Sequence, residues 1–504
     1  MSKEIDSQNL SKISLKNSGY NFISSLITKV GGLIFTIIIA RLLLPELFGI
    51  YALILSIVTI ISTFTNLGID NTFLRYLSES LGKKEKSKSH AYFKFLLKLK
   101  SYSLIIIILV VLFSAKFISY TIYDKPLLFY PLIFSCLFII TESMNNFFGS
   151  FFAATKNLKP IPWLAFSSQI TRIIFAVLAV ILLQDDFKIP GILLAFGLSG
   201  LLNILIIIYI SYKKNKEVYI GKSSNINKKQ VLNYALSMSI VSISLVVFTS
   251  IDTLMLGKFV GAEYLGYYRA ALSLVLTLSA LFSVSGVLLP IFTQIHQGRF
   301  ERGFQKVFRY LMMFAIPATV GIIAISNYLI FVVYGNAYLP ATFPLYFLAL
   351  LIVIDPLISF YTILFQSKNK PSILAKGVLI SLFLNILLNY ILIKLLINIS
   401  QDYVLSGVAI ATVFSRLLFL LIISIFAKNK FNLQLKGIGL KAPIFATIIL
   451  GIFLFVYHYF VDMNLFWGIS EIILGISIYF GILYLIKGIN KEDLELIKSL
   501  IKRN

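Results

Sequence analysis

The chain has 504 residues, 58% hydrophobic and only 13% charged, with a formal net charge of +24. Soluble proteins carry roughly a quarter charged residues, and single cores stop growing beyond about 250–300 residues, so this excess of apolar surface excludes an ordinary soluble fold. Lipid has to be the solvent for most of the molecule.

Residues 1–17 are polar and read as a cytoplasmic N-terminal segment; the first span follows them without a small-residue cleavage site, as an uncleaved helix rather than a signal peptide. Stretches such as IIIILVVLF (105–113) and NILIIIYI (203–210) belong to segments that meet the roughly 20 apolar residues needed to cross a bilayer. Fourteen such segments begin near residues 18, 47, 91, 127, 161, 190, 230, 262, 304, 343, 372, 404, 441 and 467. Charges interrupt some of them, which leaves twelve or thirteen open. Runs of four isoleucines lack the in–out alternation of a barrel strand, so the expected fold is an all-α polytopic membrane protein.

The basic residues decide between nucleic acid and membrane. Lys and Arg gather at the termini and in the loops after spans 2, 4, 6, 8, 10 and 12, as in GKKEKSKSH (82–90) and KKNKEVYIGKSSNINKK (213–229). The opposite loops hold few. This is the positive-inside pattern, which puts both termini in the cytoplasm and the basic loops near anionic lipid; no nucleic-acid partner is expected.

The corner RLLLPELFGIY (41–51) recurs as KFVGAEYLGYY (258–268), with Glu46, Gly49 and Tyr51 matching Glu263, Gly266 and Tyr268. TKNLKP (155–160) and SKNKP (367–371) echo each other in the same order, each ending in a proline that opens the next helix. Spans 1–6 and 7–12 therefore read as two copies of a six-helix unit in parallel pseudo-twofold repeat, with spans 13 and 14 added. The boundaries are an N-lobe at 18–212, a basic inter-lobe loop at 213–229, a C-lobe at 230–427, the last two helices with their connection at 428–487, and a cytoplasmic tail at 488–504. Gly49 and Gly266 are expected to permit close backbone approach at an extracellular turn and to serve a gate. A cleft between the copies is where a carrier would bind its substrate.

Ionisable groups inside a span are costly and are functional candidates by default. Lys29, Glu142, Arg172, Asp355 and Arg416 lie near the expected midplane. Arg41, Asp252, Arg269 and Lys394 lie toward the outer side, and Asp70, Arg75, Lys94, Lys98, Lys100, Arg309 and Lys376 toward the cytoplasm. Lys94, Lys98, Lys100 and Lys376, with Arg41 and Lys394, are close enough to an interface to snorkel. Glu142 and Asp355 occupy nearly matching places in the repeats; each either neutralises an arginine such as Arg172 or Arg416 or serves transport. Asp252 and Arg269 flank the second corner, where they could pair. Lys29, Arg172, Arg269 and Arg416 are the candidates for a cationic cavity, which suits a polyanion such as a pyrophosphate and not a cationic drug.

Other chemistries find no foothold. GKSS (221–224) ends like a phosphate loop, but Lys216 stands where its first glycine belongs. His90, His296 and His458 have no partner at metal-ligand spacing, and the single cysteine, Cys136, sits in span 4; neither a metal nor a catalytic site is expected. The longest outer loops, AKFISYTIYDKP (115–126) and FVVYGNAYLPAT (331–342), are too short for a membrane transferase.

The stretches IIIARLLLPELFGIYALILS, NLGIDNTFLRYLSE and IDTLMLGKFVGAEYLGYYRAALSL resemble the oligosaccharide flippases of the polysaccharide-export branch of the multidrug/oligosaccharidyl-lipid/polysaccharide exporter superfamily. The resemblance covers residues 15–487. It implies a V-shaped pair of six-helix lobes that carries a polyprenyl-pyrophosphate-linked oligosaccharide from the inner to the outer leaflet of the cell membrane by alternating access. It implies a cationic cavity to which spans 1 and 8, and so Lys29 and Arg269, contribute, and a groove near spans 13 and 14 for the lipid tail. No cofactor is implied beyond Na⁺ or H⁺ as coupling ion, for which Glu142, Asp252 and Asp355 are the available carboxylates. The partners implied are the lipid-linked substrate, membrane lipids, and polysaccharide polymerase or glycosyltransferases of the same pathway, around a monomer. An ion-coupled multidrug or small-molecule antiporter of the same fold is the alternative.

Overall fold

The computed structural model describes residues 2–283, 297–368, 370–431, 439–461 and 465–488. The tail from residue 489 on and His296 lie outside the described residues. Among the described residues there is no strand, and every expected span falls on helix.

The helices are α1 (2–43), α2 (45–66, continuing as Ile69–Gly82), α3 (Lys86–Lys116), α4 (Phe129–Ala154), α5 (Ile161–Leu182), α6 (Asp185–Lys214) and α7 (Lys228–Phe259). They continue as α8 (Ala262–Leu281), α9 (Gln297–Ala324), α10 (Thr342–Leu348 with Leu351–Ser367), α11 (Pro371–Leu396), α12 (Gln401–Phe431), α13 (Lys441–Phe460) and α14 (Leu465–Leu485). Eleven described helices are long and apolar enough to cross a membrane, and a pair bent by 50° within residues 336–365 makes twelve. That count takes Gly19–Gly82 as one helix of 64 residues. Straight, it would be about 96 Å long at 1.5 Å per residue, three times the hydrocarbon thickness. It is broken instead at Leu44 (φ 59°, ψ 170°), because the ring of Pro45 disfavours helix at the preceding residue. The protein is an all-α, multi-pass membrane protein.

Local chemistry sets the other boundaries. Pro160 precedes Ile161 and Pro371 opens α11, as the echoed motifs predict. The Asn227 side chain caps α7 by accepting the Gln230 N–H at 3.1 Å. Within lipid, helix association depends on close packing rather than on water exclusion, and α6 sets Gly197 and Gly200 against Leu137 and Thr141 of α4.

The buried apolar side chains show how the helices are joined. At the end where α1 turns into α2 and α7 into α8 (the corner end), one core runs through both halves of the chain, from Phe35, Ile39 and Ile54 to Leu272, Leu345 and Val408. Toward the opposite end, which holds the basic loops, it divides. Phe73, Phe147 and Phe151 form one cluster, mostly from the first half with Val231 of α7, and Phe304, Phe360 and Phe365 another in the second half. A fourth cluster joins Met313 of α9 to Ala446 and Leu450 of α13 and Tyr479 of α14.

One expected snorkeller is misplaced by the sequence reading. Lys100 is fully buried and its ammonium lies 3.1 Å from Asp70 Oδ1, linking α3 to α2. Desolvating both charges is expensive, but leaving one alone is worse. Asp70→Asn should therefore destabilise the protein by about 3–5 kcal/mol, seen as a lowered unfolding midpoint in detergent. An apolar pair at both positions should recover most of that loss; an unchanged midpoint for the single variant would mean the ammonium has found another partner.

Candidate functional site

The two copies of the corner are packed against each other. A Cβ on Gly49 would lie 1.8 Å from the Ala262 carbonyl oxygen, and one on Gly266 would lie 2.1 Å from the Pro45 carbonyl oxygen. The contact is reciprocal: Gly49 matches Gly266 and Pro45 matches Ala262 in the repeat. Only glycine permits this approach of backbone to backbone. Around it, Arg41 donates to the Val332 and Val333 carbonyls, Tyr338 Oη to the Ala40 carbonyl at 2.7 Å, and Lys125 to the Gly257 carbonyl at 2.9 Å. Arg41, exposed, is held on these backbone carbonyls, and hydrogen bonds join the halves at the corner end.

Nearer the basic end, a cavity of about 290 Å³ lies between α1 and the end of α8, lined by Asn21, Ser25, Lys29, Ala280 and Ser283 among others. Lys29 has no ion pair or hydrogen bond among the described residues. On the other face of the same turn of α8, Leu278 and Phe282 line a second cavity of about 390 Å³, closed by Pro317 of α9, Leu450 of α13, and Glu471 and Tyr479 of α14. This one is almost wholly apolar. One turn of helix thus separates a polar, cationic cavity from an apolar groove.

The remaining intramembrane charges are distributed as follows. Arg172 approaches Glu142 at 3.9 Å and stacks over the Phe196 ring at 4.7 Å. Arg416, 6% exposed, is ion-paired with Asp355. Of the two alternatives set out for Glu142 and Asp355, the structure contains the arginine pairing in both cases. The expected Asp252–Arg269 pair does not form. Asp252 accepts from Asn389 Nδ2 and Thr412 Oγ1, each at 2.7 Å, and from Tyr268 Oη at 3.2 Å, while Asn385 Oδ1 lies 3.3 Å from Asn389. The Asn389 side-chain oxygen is buried and has no donor. The result is an oxygen-rich cluster around the Asp252 carboxyl group, built from α7, α8, α11 and α12. Arg269 is half-buried beside Tyr51, Tyr268 and Tyr334. Lys394 sits over the Phe259 ring at 5.5 Å. No group of three or more His, Cys, Asp or Glu that could hold a metal ion occurs among the described residues.

The family model described as polysaccharide biosynthesis protein matches residues 14–296, which is more than half of the chain. The chain belongs to the polysaccharide biosynthesis protein family. A Haloferax volcanii relative, the probable low-salt glycan biosynthesis flippase Agl15, is 27% identical over 273 residues, covering 52% of this chain and 54% of that one. The match thus spans about half the length of the curated relative. Among solved structures, the lipid II flippase MurJ in an inward closed conformation superposes with a TM-score of 0.72 at 17% identity, over 92% of this chain and 98% of that one. A multidrug-resistance MATE transporter of the MOP superfamily, in an inward-facing conformation, superposes with a TM-score of 0.58 at 14% identity, over 82% and 94%. The fold of this polysaccharide biosynthesis family member is MATE/MOP-like.

Sequence reasoning missed three parts of the family member's interior. It did not find Tyr268, Asn389 and Thr412 as partners of Asp252, although NILLN (385–389) places two amides one turn apart on an otherwise apolar helix. It passed over Glu471, a carboxylate in the middle of an apolar span. It also could not bring Tyr338 and Lys125 to the corner, because loop residues carry no periodic signal.

Proposed function

We propose that the protein is a flippase for a polyprenyl-pyrophosphate-linked oligosaccharide, a cell-surface polysaccharide or glycan precursor, moving it from the inner to the outer leaflet of the cell membrane. The observation that carries this reading is the shared wall at residues 278–283. An amphiphile laid across it has its anionic head beside Lys29 and its hydrocarbon tail in the α8–α9–α13–α14 groove. Passage of pyrophosphate and sugars through a wet cleft avoids the cost of dragging charge through hydrocarbon. Lys29, Arg269 and the loosely held Arg172 are the cations proposed for the head group; Arg416 is committed to Asp355. With the basic loops in the cytoplasm, the corner end, where hydrogen bonds join the halves, faces outward.

The test is the sidedness of a lipid-linked oligosaccharide in proteoliposomes. Protein-dependent transfer of the head group across the bilayer is expected; transfer of none of several such lipids, with gradient-driven uptake of organic cations instead, would favour an antiporter. For the driving force, the Asp252 cluster is the proposed binding site of a coupling Na⁺ or H⁺, since Glu142 and Asp355 already face arginines. Asp252→Asn should weaken dependence on the ion gradient by about 10–100-fold in ion affinity, the value of one charged ligand. Unaltered ion dependence in a folded variant would remove Asp252 from that role.

A further inference from the structure

Glu471 is the one carboxylate among the described residues that line the apolar groove. Its side chain is fully buried, and neither oxygen meets hydrogen-bond geometry with any partner among the described residues. His458, near the end of α13, brings Nδ1 to 3.1 Å from Glu471 Oε1, while the same nitrogen lies 3.3 Å from the Leu454 carbonyl. Among the described residues, the other elements that line the groove supply no counter-charge. The stretches of α8, α9 and α10 that line it are apolar, Tyr479 is spent on the Met313 carbonyl at 2.6 Å, and Tyr328 approaches the helix one turn earlier, at Gly468.

An ionised carboxylate in such surroundings is unfavourable unless a proton or a fixed cation accompanies it. With one proton the pair is electrically neutral, whichever partner carries it; with none the groove holds a net negative charge. A hydrocarbon chain entering the groove removes what hydration remains and so favours the neutral, one-proton state. By linkage, the proton must in turn favour the chain.

We propose that Glu471 and His458 form a proton-binding site, and that its occupancy by a proton and the occupancy of the groove by a hydrocarbon tail promote each other. The proton site stands on this geometry alone; its part in transport rests on the flippase reading. It is separate from the Asp252 cluster, and it gives α13 and α14 a chemical role that twelve helices of the repeat do not supply.

Trp467 lies one turn before Glu471 on α14, its carbonyl accepting from Tyr457 of α13 at 3.3 Å, and the chain has only one other tryptophan, Trp163. In full-length W163F protein, Trp467 fluorescence should titrate with pH, and the transition should be lost in Glu471→Gln and displaced in His458→Asn. Added polyprenyl phosphate should move the midpoint upward, the direction of tighter proton binding. A transition that is absent, or that survives unchanged in Glu471→Gln, overturns the site. A midpoint indifferent to polyprenyl phosphate overturns the linkage. A titration lost in Glu471→Gln from a protein that flips no lipid-linked oligosaccharide supports the site while rejecting the flippase reading.

Discussion

Gly49→Ala and Gly266→Ala should each abolish most transport while leaving a folded, membrane-inserted protein. The added methyl would sit 1.8 Å from the Ala262 oxygen in the first case and 2.1 Å from the Pro45 oxygen in the second. Both obstacles are backbone, so no side-chain rotation relieves them; α2 and α8 have to separate at the corner. Overpacking of this kind costs about 1–3 kcal/mol or more. Spent against the closed corner alone, 1–3 kcal/mol is a change of about 5–150-fold in the population of that state. Flux should fall accordingly, and the Tyr338–Ala40 and Lys125–Gly257 hydrogen bonds should loosen with it. Because either methyl forces the same separation, the double variant should be little worse than the worse single one. Measured flux that is unchanged, or that falls additively, would mean the corner is not a common gate.

Lys29→Glu is the second large effect. Among the described residues Lys29 lines the polar cavity without an ion pair or hydrogen bond, which leaves its charge to a ligand under the proposed function. One such contact at 4 Å is worth about 1 kcal/mol in water and about 4 kcal/mol at a protein surface. Reversal replaces attraction by repulsion, and flipping should become undetectable. Lys29→Arg should keep most of the activity, and Lys29→Met should fall between them. Unfolding midpoints should stay close to the parent in all three, since no internal bond is removed. The contrasting control is Arg416→Met, which strips Asp355 of its partner and should lower stability first. Flux through Lys29→Glu at the parent rate would exclude Lys29 from the head-group site.

The fold was legible because its signals are local. Span length, Pro45, Pro160 and Pro371, and the Glu46/Glu263 and Gly49/Gly266 echoes can all be read within a few residues of each other. Even the reason for the two glycines was readable, though the sequence does not say that each would press on the other copy's turn. The fates of the charges were less legible because they depend on which faces meet. Lys100 and Lys98 are two residues apart on one helix; the first is buried against Asp70, the second exposed over Tyr102 at 5.5 Å. For Glu142 and Asp355, pairing with an arginine was one of two readings, open because two arginines lay at similar depth. Asp252 had Arg269 at similar depth as well, and was instead satisfied by neutral donors from three helices.

The two flanks of the molecule are unequal. Along α2 and α7 the halves touch from the corner end, where Leu53 fills the space beside Gly257, down to Gly68 against Ala235 and Tyr76 edge-on to Tyr234. Along α1 and α8 they part around a cavity, with the apolar groove next door. The molecule therefore has a spine and a loading side, like a book shelved upright in the bilayer. On the proposed flippase reading, the lipid tail can stay in the bilayer on the loading side while the head group stays inside the wet cleft, so the substrate need not be threaded end-first through a hole of fixed bore. On that same reading, a bulky label fixed to the spine should leave transport undisturbed, and one fixed beside the cavity should block it.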